Sequence, residues 1–295
     1  MKKSKKLLLI DGNAVLHRAY HALPASLTTK DGEPINAVYG FVSMLVKIIE
    51  DIKPTHIACA FDTPVETFRK AEYVGYQAHR PRLDSDLSSQ FEICYKVLDA
   101  MNIPIYKIER YEADDVVGTI ANQCSGLVDE VVIVTGDRDI LQLVDDKKKV
   151  RVYMPTQGIN KAKLYTESEV VERMGVKPLQ IVDYKALAGD SSDNYPGVTG
   201  IGPKTAINLL IEYGTLENIY EHINEIPEKV GKKLAVGVES AGMSKKLAMI
   251  VKDVPLTFHL SDSANWKLNS DRVLEVFSEI GFKTLTNRVK QMTLI

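Results

Sequence analysis

Acidic residues stand next to apolar segments at several points along this chain. Aspartates end or closely follow the apolar segments LLLI, HIACAF and EVVIVTG, and the stretch YEADD puts three acids at the head of another. A further aspartate follows in TGDRD, and two more lie in the loop GDSSDN. The nine acids are Asp11, Asp62, Glu112, Asp114, Asp115, Asp137, Asp139, Asp190 and Asp193. Their repeated place beside apolar structure indicates one shared site rather than independent surface charges.

A shared site of this kind needs a cation. Like charges held close together raise one another's pKa until some carboxyls are protonated or a cation enters. Oxygen ligands without His or Cys suit hard cations, and Mg²⁺ keeps several waters while it binds few carboxylates directly. Two metals about 4 Å apart can stabilise both the attacking and the leaving oxygen of an in-line displacement at phosphorus. The acids therefore predict a two-metal site for phosphodiester hydrolysis.

The competing interpretation is that each acid caps a helix. Asp and Glu are favoured at helix N-termini by capping hydrogen bonds and by the helix dipole, so a single Asp in this position is more often a cap than a ligand. Capping does not require the acids to converge. Nine acids on four predicted strand ends and one loop would converge, so we favour the metal site.

Four apolar segments are predicted to be β-strands, and their order would gather the acids. The segments are residues 7–10, 56–61, 103–108 and 130–136. Between the first two, apolar residues recur at helical spacing over residues 37–52. Strands that alternate with helices predict a mostly parallel sheet with helices on its faces, and ligands bind such sheets at the carboxyl ends of the strands. From about residue 165 the pattern predicts helices alone, closely packed on the sheet, ending in an amphipathic helix and a short second one over residues 271–292.

The glycine-rich stretch GVTGIGPKTA, residues 197–206, predicts a site for a phosphate backbone. It is a near miss for a P-loop, because Pro203 separates Gly202 from Lys204. Pro203 instead stands at the favoured first position of a helix. Backbone N–H groups of such a turn can bind an anion, assisted by Gly200, Lys204 and Thr205, as in a helix-hairpin-helix. A plain helical turn is the alternative, and the nearby acidic loop favours the binding site.

The net charge of −2 and the pI of about 6.3 argue at first against a nucleic-acid partner, because phosphate binders are usually basic. Without the nine proposed ligands, however, the remainder of the chain is basic. Its clusters are Lys147, Lys148, Lys149 and Arg151, then Lys229, Lys232 and Lys233, then Lys245 and Lys246. One such cluster is commonly a solvated face. Together they predict a cationic surface around an anionic, metal-binding pocket.

A second nucleic-acid signal lies in the segment TFRKAEYVGYQAHRPR, residues 67–82. It interleaves four cations with three rings: Arg69, Lys70, Arg80 and Arg82 with Tyr73, Tyr76 and His79. Aromatic and cationic side chains together suit single-stranded nucleic acid, whose bases stack while its phosphates pair. An ordinary polar loop with exposed tyrosines fits the composition equally well.

The composition also indicates the cellular compartment. Cys59, Cys94 and Cys124 are far apart and odd in number, which indicates neither a disulfide framework nor a zinc site. The apolar run of MKKSKKLLLI stops at Asp11, short of a signal peptide, and no run reaches the roughly 18 residues of a membrane span. We expect a cytoplasmic monomer without membrane association.

The motifs together resemble a known family. LLLIDGN, RAYHALP, FDTPVETFR, YEADDVVGT, TGDRDILQLV, GDSSDN and PGVTGIGPKTA are similar to the 5′ nuclease domains of bacterial DNA polymerase I, within the flap endonuclease family. The likeness runs from about residue 5 to the C-terminus. It implies a PIN-like α/β fold, a helical arch over the active site and a helix-hairpin-helix that grips duplex DNA with a bound K⁺. The implied activity is Mg²⁺-dependent 5′-3′ exonuclease and flap endonuclease cleavage in DNA replication and repair, with Mn²⁺ as an alternative ion.

The resemblance also implies roles for individual residues. Asp11, Asp62, Glu112 and Asp114 match a first metal cluster, and Asp115, Asp137, Asp139, Asp190 and Asp193 match a second, with Asp114 able to serve both. Arg18, Arg69 and Arg80 match cations near the scissile phosphate, and Tyr76, Gln77, Gly200, Gly202, Lys204 and Thr205 match DNA-binding positions. One departure stands out, because family members usually carry Tyr-Lys where this chain has Tyr76-Gln77. The family lysine assists at the scissile phosphate, so this substitution bears on the cleavage rate.

We therefore expect three parts: a nuclease domain over residues 1–165 with an arch at about 64–90, a duplex-binding subdomain over 166–260, and a helical extension over 261–295. Expected substrates are DNA with a 5′ flap, a nick or an RNA primer. A covalently attached polymerase domain is compatible with the resemblance. The alternative functions are a non-catalytic DNA-junction binding module and a PIN-type ribonuclease.

Overall fold

The structure is a computed structural model that describes residues 4–80, 84–157 and 161–292. Its centre is a six-stranded sheet in the order β3-β2-β1-β4-β5-β6. The strands are β1 Lys6–Asp11, β2 His56–Ala60, β3 Ile105–Tyr106, β4 Glu130–Val134, β5 Val150–Gln157 and β6 Lys161–Tyr165. The first five are parallel and β6 is antiparallel to β5. The predicted α/β fold with a mostly parallel sheet is confirmed.

Helices flank the sheet. In chain order they are α1 Gly12–Ala22, α2 Asn36–Ile52, α3 Phe68–Glu72, α4 Ser85–Ala100, α5 Ala113–Cys124, α6 Glu167–Met174, α7 Ile181–Ala188, α8 Pro203–Tyr213, α9 Leu216–Glu221, α10 Glu228–Val236, α11 Val238–Ala248, α12 Asp271–Ile280 and α13 Lys283–Gln291. The amphipathic pattern at residues 271–292 predicted α12 and α13, and the pattern at 37–52 predicted α2. None of the helices in the described ranges is long and apolar enough to cross a membrane.

The alternation of side chains along β1 divides the interior into two cores. Leu7 and Leu9 point to one side, where α5 and the helices α6 to α11 pack. Leu8 and Ile10 point to the other side, against α1, α2, α4, α12 and α13. Both faces are buried because helices cover a parallel sheet on both sides, and this is why β1 reads as an unbroken apolar run.

The strand order brings the acids together. β1 lies between β2 and β4, and all three run in the same direction. Asp11 ends β1, Asp62 follows β2 by two residues and Asp137 follows β4 by three. Their side chains therefore reach the same edge of the sheet, where α5 also begins.

Candidate active site

An open cleft of about 730 Å³ lies at the carboxyl ends of the central strands. Seven of the nine predicted acids line it: Asp11, Asp62, Glu112, Asp114, Asp137, Asp139 and Asp193. Its other wall comes from residues 62–80, which include α3 and the turn after it, and from the end of α11. Seven of the nine predicted acids therefore share one pocket, and Asp115 and Asp190 do not line it.

Several acids also cap helices, so the two interpretations of the sequence hold at once. Asp11 is the N-cap of α1, where it accepts a hydrogen bond from the Ala14 N–H at 3.0 Å. The Thr135 hydroxyl donates to its second oxygen at 2.7 Å. Asp62, exposed at the mouth of the cleft, accepts from the Ala113 N–H at 2.7 Å, at the start of α5. These bonds fix the carboxylates while they face the cleft.

A tighter group lies on one side of the cleft. One oxygen from each of Asp139, Asp190 and Asp193 lies within 4.8 Å of the others. The ammonium of Lys185, on α7, donates to both Asp139 and Asp190. In this structure a buried lysine therefore partly neutralises the acids that the sequence assigned to the second metal cluster.

Burial and mutual repulsion disfavour the ionised form of the carboxyl groups in this site. Burial is the main cause that raises the pKa of Asp11, Glu112 and Asp139 to about 7, and it raises the pKa of Asp114 well above its usual range. Burial would also raise the pKa of Asp190, but the Lys185 ammonium and the Ser192 hydrogen bonds lower it. A bound cation would lower the pKa of these carboxyl groups, because it stabilises their charged form.

Asp115 corrects the sequence prediction. It is fully buried and does not line the cleft. Its two oxygens accept four hydrogen bonds, from two nitrogens of Arg69 at 2.7 Å each, from the Glu112 N–H at 3.1 Å and from the Val251 N–H at 2.9 Å. Since two carboxylate oxygens offer about four acceptor positions, Asp115 has none left for a metal. Its role in this structure is to anchor Arg69.

Arg69 likewise differs from its predicted contact with the substrate. The residue is 2% exposed, and all five of its N–H donors have protein acceptors. Besides Asp115 these are the Leu247 and Met249 carbonyls, at 2.9 and 2.7 Å, and Glu112 at 3.2 Å. Arg69 therefore ties the start of the arch region to α11 and orients Glu112, and no donor remains for a phosphate.

The turn after α3 holds three predicted residues. Tyr76 is buried, its ring stacks on Tyr195 with centroids 6.4 Å apart, and its hydroxyl donates to Glu112 at 3.2 Å. It is therefore not the exposed ring expected for base stacking.

Gln77 lines the cleft in a left-handed conformation, with φ of 54°. Arg80 is half exposed and donates to Asp193 at 2.6 Å. Within the predicted arch, residues 81–83, Arg82 among them, lie outside the described residues.

The remaining predicted residues lie outside the main cleft. Arg18 lines a shallow neighbouring pocket together with His21 and Asp137. The predicted duplex-binding turn is exposed at Gly200, Gly202 and Lys204, with Thr205 half-buried behind them. Gly202 is the N-cap of α8 and Pro203 is its first residue, as the sequence predicted. This turn and the acid cleft are separate sites.

Sequence reasoning missed the residues that support the acids. Lys185 is a lone cation in the otherwise apolar end of α7, five residues before Asp190, and that setting was the available signal. Asn194 and Tyr195 hold the loop beside the cleft, and no pattern in the sequence marked them. The sequence pattern does not predict strands β5 and β6, because the basic run that leads into β5 favours a surface cluster.

Comparison of the whole sequence with known proteins identifies the same nuclease family that the motifs resemble. Residues 6–175 match the profile of the 5′-3′ exonuclease N-terminal resolvase-like domain, and residues 176–271 match that of the 5′-3′ exonuclease C-terminal SAM fold. The chain is 43% identical to DNA polymerase I of Caldicellulosiruptor bescii over 284 residues, which are 96% of this chain and 33% of that protein. It is 41% identical to DNA polymerase I of Bacillus subtilis over 290 residues, 98% of this chain and 33% of that protein. The chain thus spans about a third of the length of these relatives.

Solved structures share the fold at lower identity. The bacteriophage T5 D15 flap endonuclease, in a pseudo-enzyme-product complex with DNA and metal ions, superimposes with a TM-score of 0.68 at 20% identity, covering 97% of each chain. Flap endonuclease-1 from Methanococcus jannaschii gives a TM-score of 0.59 at 20% identity, covering 97% of this chain and 91% of that one.

Proposed function

The chain belongs to the 5′-3′ exonuclease family, and from this premise we propose that it is a structure-specific 5′ nuclease that hydrolyses phosphodiester bonds at 5′ flaps, nicks and RNA primers. The observation that carries the proposal is the cleft that gathers seven of the nine predicted acids, with Arg80 beside it. Carboxylates alone would repel a phosphate, so the cleft suits nucleic acid only when cations are bound.

The donor set fits Mg²⁺, and Mn²⁺ accepts the same ligands. The acids that line the cleft offer only oxygen donors, of the kind that hard cations prefer. We assign one ion to Asp11, Asp62, Glu112 and Asp114, and a second to Asp137, Asp139, Asp190 and Asp193. Such ions, when bound, would polarise the scissile phosphate and activate water as the nucleophile. Asp115 is left out because its oxygens are already occupied.

The chain's own residues then position the substrate. Arg80 is half exposed, so its guanidinium can turn from Asp193 to a phosphate at the cleft. Gln77 can donate a hydrogen bond from the same wall, without charge. Lys185 is buried against Asp139 and Asp190, and its ammonium lowers the pKa of both carboxyls against the effect of burial.

We assign duplex binding to the exposed turn at Gly200–Thr205. The start of α8 presents backbone N–H groups there, and the Lys204 side chain is exposed beside them. Such contacts hold the sugar-phosphate backbone without reading sequence. A K⁺ ion at this turn belongs to the proposal. The Gly200 carbonyl already accepts a hydrogen bond from the Lys233 ammonium at 2.7 Å, so that oxygen has a cationic partner.

The family relationship also supports proposals about an accompanying domain, the cellular location and the oligomeric state. Because the curated relatives are about three times longer, we propose that a DNA polymerase domain can accompany this nuclease, in replication and repair. A cytoplasmic location and a monomeric nuclease unit complete the proposal. The three-part division at residues 165 and 260 stands with it as a prediction.

Cleavage of a labelled 5′-flap duplex in Mg²⁺ and in EDTA tests the function. We expect incision near the flap junction with Mg²⁺ and none with EDTA. Tight flap binding without cleavage in either Mg²⁺ or Mn²⁺ would support the non-catalytic junction-binding alternative. Cleavage of single-stranded RNA in preference to the flap would support a PIN-type ribonuclease.

A further inference from the structure

The turn that carries Gln77 is joined directly to the loop before the duplex-binding turn. The Asn194 amide donates to the Gly75 carbonyl at 2.7 Å. The Gln77 N–H donates to the Asp193 carbonyl at 2.9 Å. Next to these bonds Tyr76 stacks on Tyr195. Residues 75–77 and 193–195, more than a hundred positions apart in sequence, therefore form one layer beside the acids.

The loop side of this layer is itself well anchored. Tyr195 and Asp190 exchange two backbone hydrogen bonds, at 2.9 and 3.0 Å, which close the loop on itself. Two residues later Gly197 is bonded to Ser240 at 2.5 Å and to Ser244 at 3.2 Å, both on α11. Only a few residues separate this anchor from the exposed turn at Gly200–Thr205. Because this short stretch of chain is held by α11, ordering of the turn by bound DNA would also restrain the loop that carries Asn194.

We propose that Asn194 is a positioning residue, which couples duplex binding at the Gly200–Thr205 turn to the placement of Gln77 and Arg80 beside the scissile phosphate. The coupling rests on the proposed function for its role in cleavage, but the contact itself does not. The hydrogen bond from the Asn194 amide to the Gly75 carbonyl holds the turn. The hydrogen bond from the Gln77 N–H to the Asp193 carbonyl fixes the position of Gln77, and Arg80 follows three residues later. Duplex bound to the clamp would thus order the wall of the cleft before a flap enters.

The backbone at Asn194 makes a clean test available. Its φ is 57°, in the left-handed region that Asn tolerates and Gly adopts without steric strain. Asn194→Gly therefore removes the amide while it preserves the turn. Asn102 is a matched control, because it also has φ of 57° and its amide also donates to a distant carbonyl, that of Asn265 at 3.0 Å. Asn102 does not line the cleft.

Spin labels can report the position of the turn without reference to cleavage. Val74, 91% exposed, lies on the turn, and Leu127, 60% exposed, lies at the amino end of β4, away from the cleft. Labels on Val74→Cys and Leu127→Cys give the distance between them by double electron-electron resonance. The native cysteines are all buried and so are poor targets for labelling.

The probe is a DNA duplex closed by a hairpin loop at each end, which offers the clamp a backbone but offers the cleft no free strand. We expect this duplex to narrow the distance distribution in the otherwise wild-type protein and in Asn102→Gly, but not in Asn194→Gly. On a 5′-flap substrate, Asn194→Gly should lower the single-turnover rate about fivefold, the factor that corresponds to one net hydrogen bond of about 1 kcal/mol. Asn102→Gly should leave that rate unchanged.

Two results would overturn the coupling: no narrowing in the wild-type background, or narrowing in Asn194→Gly equal to that in Asn102→Gly. If the wild-type protein cleaves no flap, the proposed function fails, and the distance measurement still decides whether Asn194 couples the two segments.

Discussion

The guanidinium of Arg69 and the carboxylate of Asp115 form a buried two-point ion pair, with both N–O distances at 2.7 Å. The pair joins α3 to α5, and the further bonds of Arg69 to Leu247 and Met249 join both helices to the end of α11. Three segments distant in sequence thus meet at one charged contact beside the acids. Its integrity decides whether the wall of the cleft is in place.

We expect Asp115→Asn to lower the free energy of unfolding by about 3–5 kcal/mol, because it removes the two-point carboxylate partner of the buried Arg69 guanidinium and leaves only Glu112, at 3.2 Å. Urea denaturation in EDTA measures this, since bound metal cannot then contribute. Asp137→Asn is the control, because Asp137 lines the cleft and its neutralisation relieves repulsion. Equal stability of Asp115→Asn and wild type would contradict the anchoring role of Asp115.

The central strands and most of the site could be predicted because local signals specify them. Apolar runs that end in Asp predict strand ends, and a parallel arrangement brings those ends to one edge. The same signals could not separate Asp115 from Asp114. The two are adjacent in YEADD, and only the direction of each side chain on α5 puts one in the cleft and the other against Arg69.

The missed features depend on contacts between distant segments. Tyr76 resembles an exposed aromatic residue in its polar segment, but its burial depends on Tyr195, which lies 119 positions later. The role of Lys185 becomes visible only in the folded protein, where α7 packs next to Asp139. Propensity and periodicity describe local structure, so they carry no information on such pairings.

We expect Asp137→Asn and Asp193→Asn to abolish cleavage while flap binding is retained. Each change removes a proposed metal ligand, and each also makes the cleft less repulsive to phosphate. Single-turnover cleavage and fluorescence anisotropy with a labelled flap measure the two effects separately. Asp253→Asn, at an exposed acid that does not line the cleft, is the control. A rate within a few-fold of wild type in either cleft variant would contradict the two-metal assignment.

The metal-free protein should lose stability as pH rises from about 6.5 to 8.5. Burial raises the pKa of Asp11, Glu112 and Asp139 to about 7, whereas carboxyls in the unfolded chain are already ionised in this range. The folded state therefore holds protons that the unfolded state has released, and the stability they confer is lost as pH rises through about 7. His17 and His56 do not oppose this trend, because burial lowers their pKa and their effect on stability lies below about pH 6.5.

Thermal melts in EDTA across this pH range test the expectation. The melting temperature should fall with pH in EDTA and be restored by Mg²⁺ at pH 8.5. Asp114→Asn should flatten the slope, because burial raises the pKa of Asp114 well above its usual value and the variant has no proton to lose there. A melting temperature in EDTA that rises between pH 6.5 and 8.5 would contradict the buried, repulsive acid cluster.

Lys204→Ala should weaken binding to flap, nicked and plain duplex DNA alike. Lys204 is exposed at the start of α8, where a backbone phosphate can be contacted without any reading of sequence. The slope of log affinity against log salt should fall by about one unit, as expected for one lost phosphate contact. Lys163→Ala is a suitable control, since Lys163 on β6 pairs with Glu172. An unchanged salt slope, or a loss confined to one base sequence, would contradict the clamp.

Gln77→Lys should raise single-turnover cleavage at saturating DNA by about tenfold, equivalent to about 1.4 kcal/mol. Gln77 lines the cleft, and its backbone N–H bond to Asp193 does not depend on the side chain, so a lysine can be accommodated without moving the turn. A cation there would stabilise charge that develops on the phosphoryl oxygens, an effect worth roughly 2.7–4 kcal/mol for single donors in other enzyme sites. We expect less than this, because Arg80 already brings one cation to the same wall.

Gln77→Met and Arg80→Ala are the control variants for this substitution. Gln77→Met matches lysine in length without its charge and should not raise the rate. Affinity should change less than rate, because one added cation at a partly exposed position contributes little to binding at physiological salt. Arg80→Ala should cost more in the wild-type background than in Gln77→Lys, since the added lysine would then supply the missing charge. A Gln77→Lys rate equal to or below wild type would mean that residue 77 does not reach the scissile phosphate, or that Arg80 alone already provides the charge this position can use.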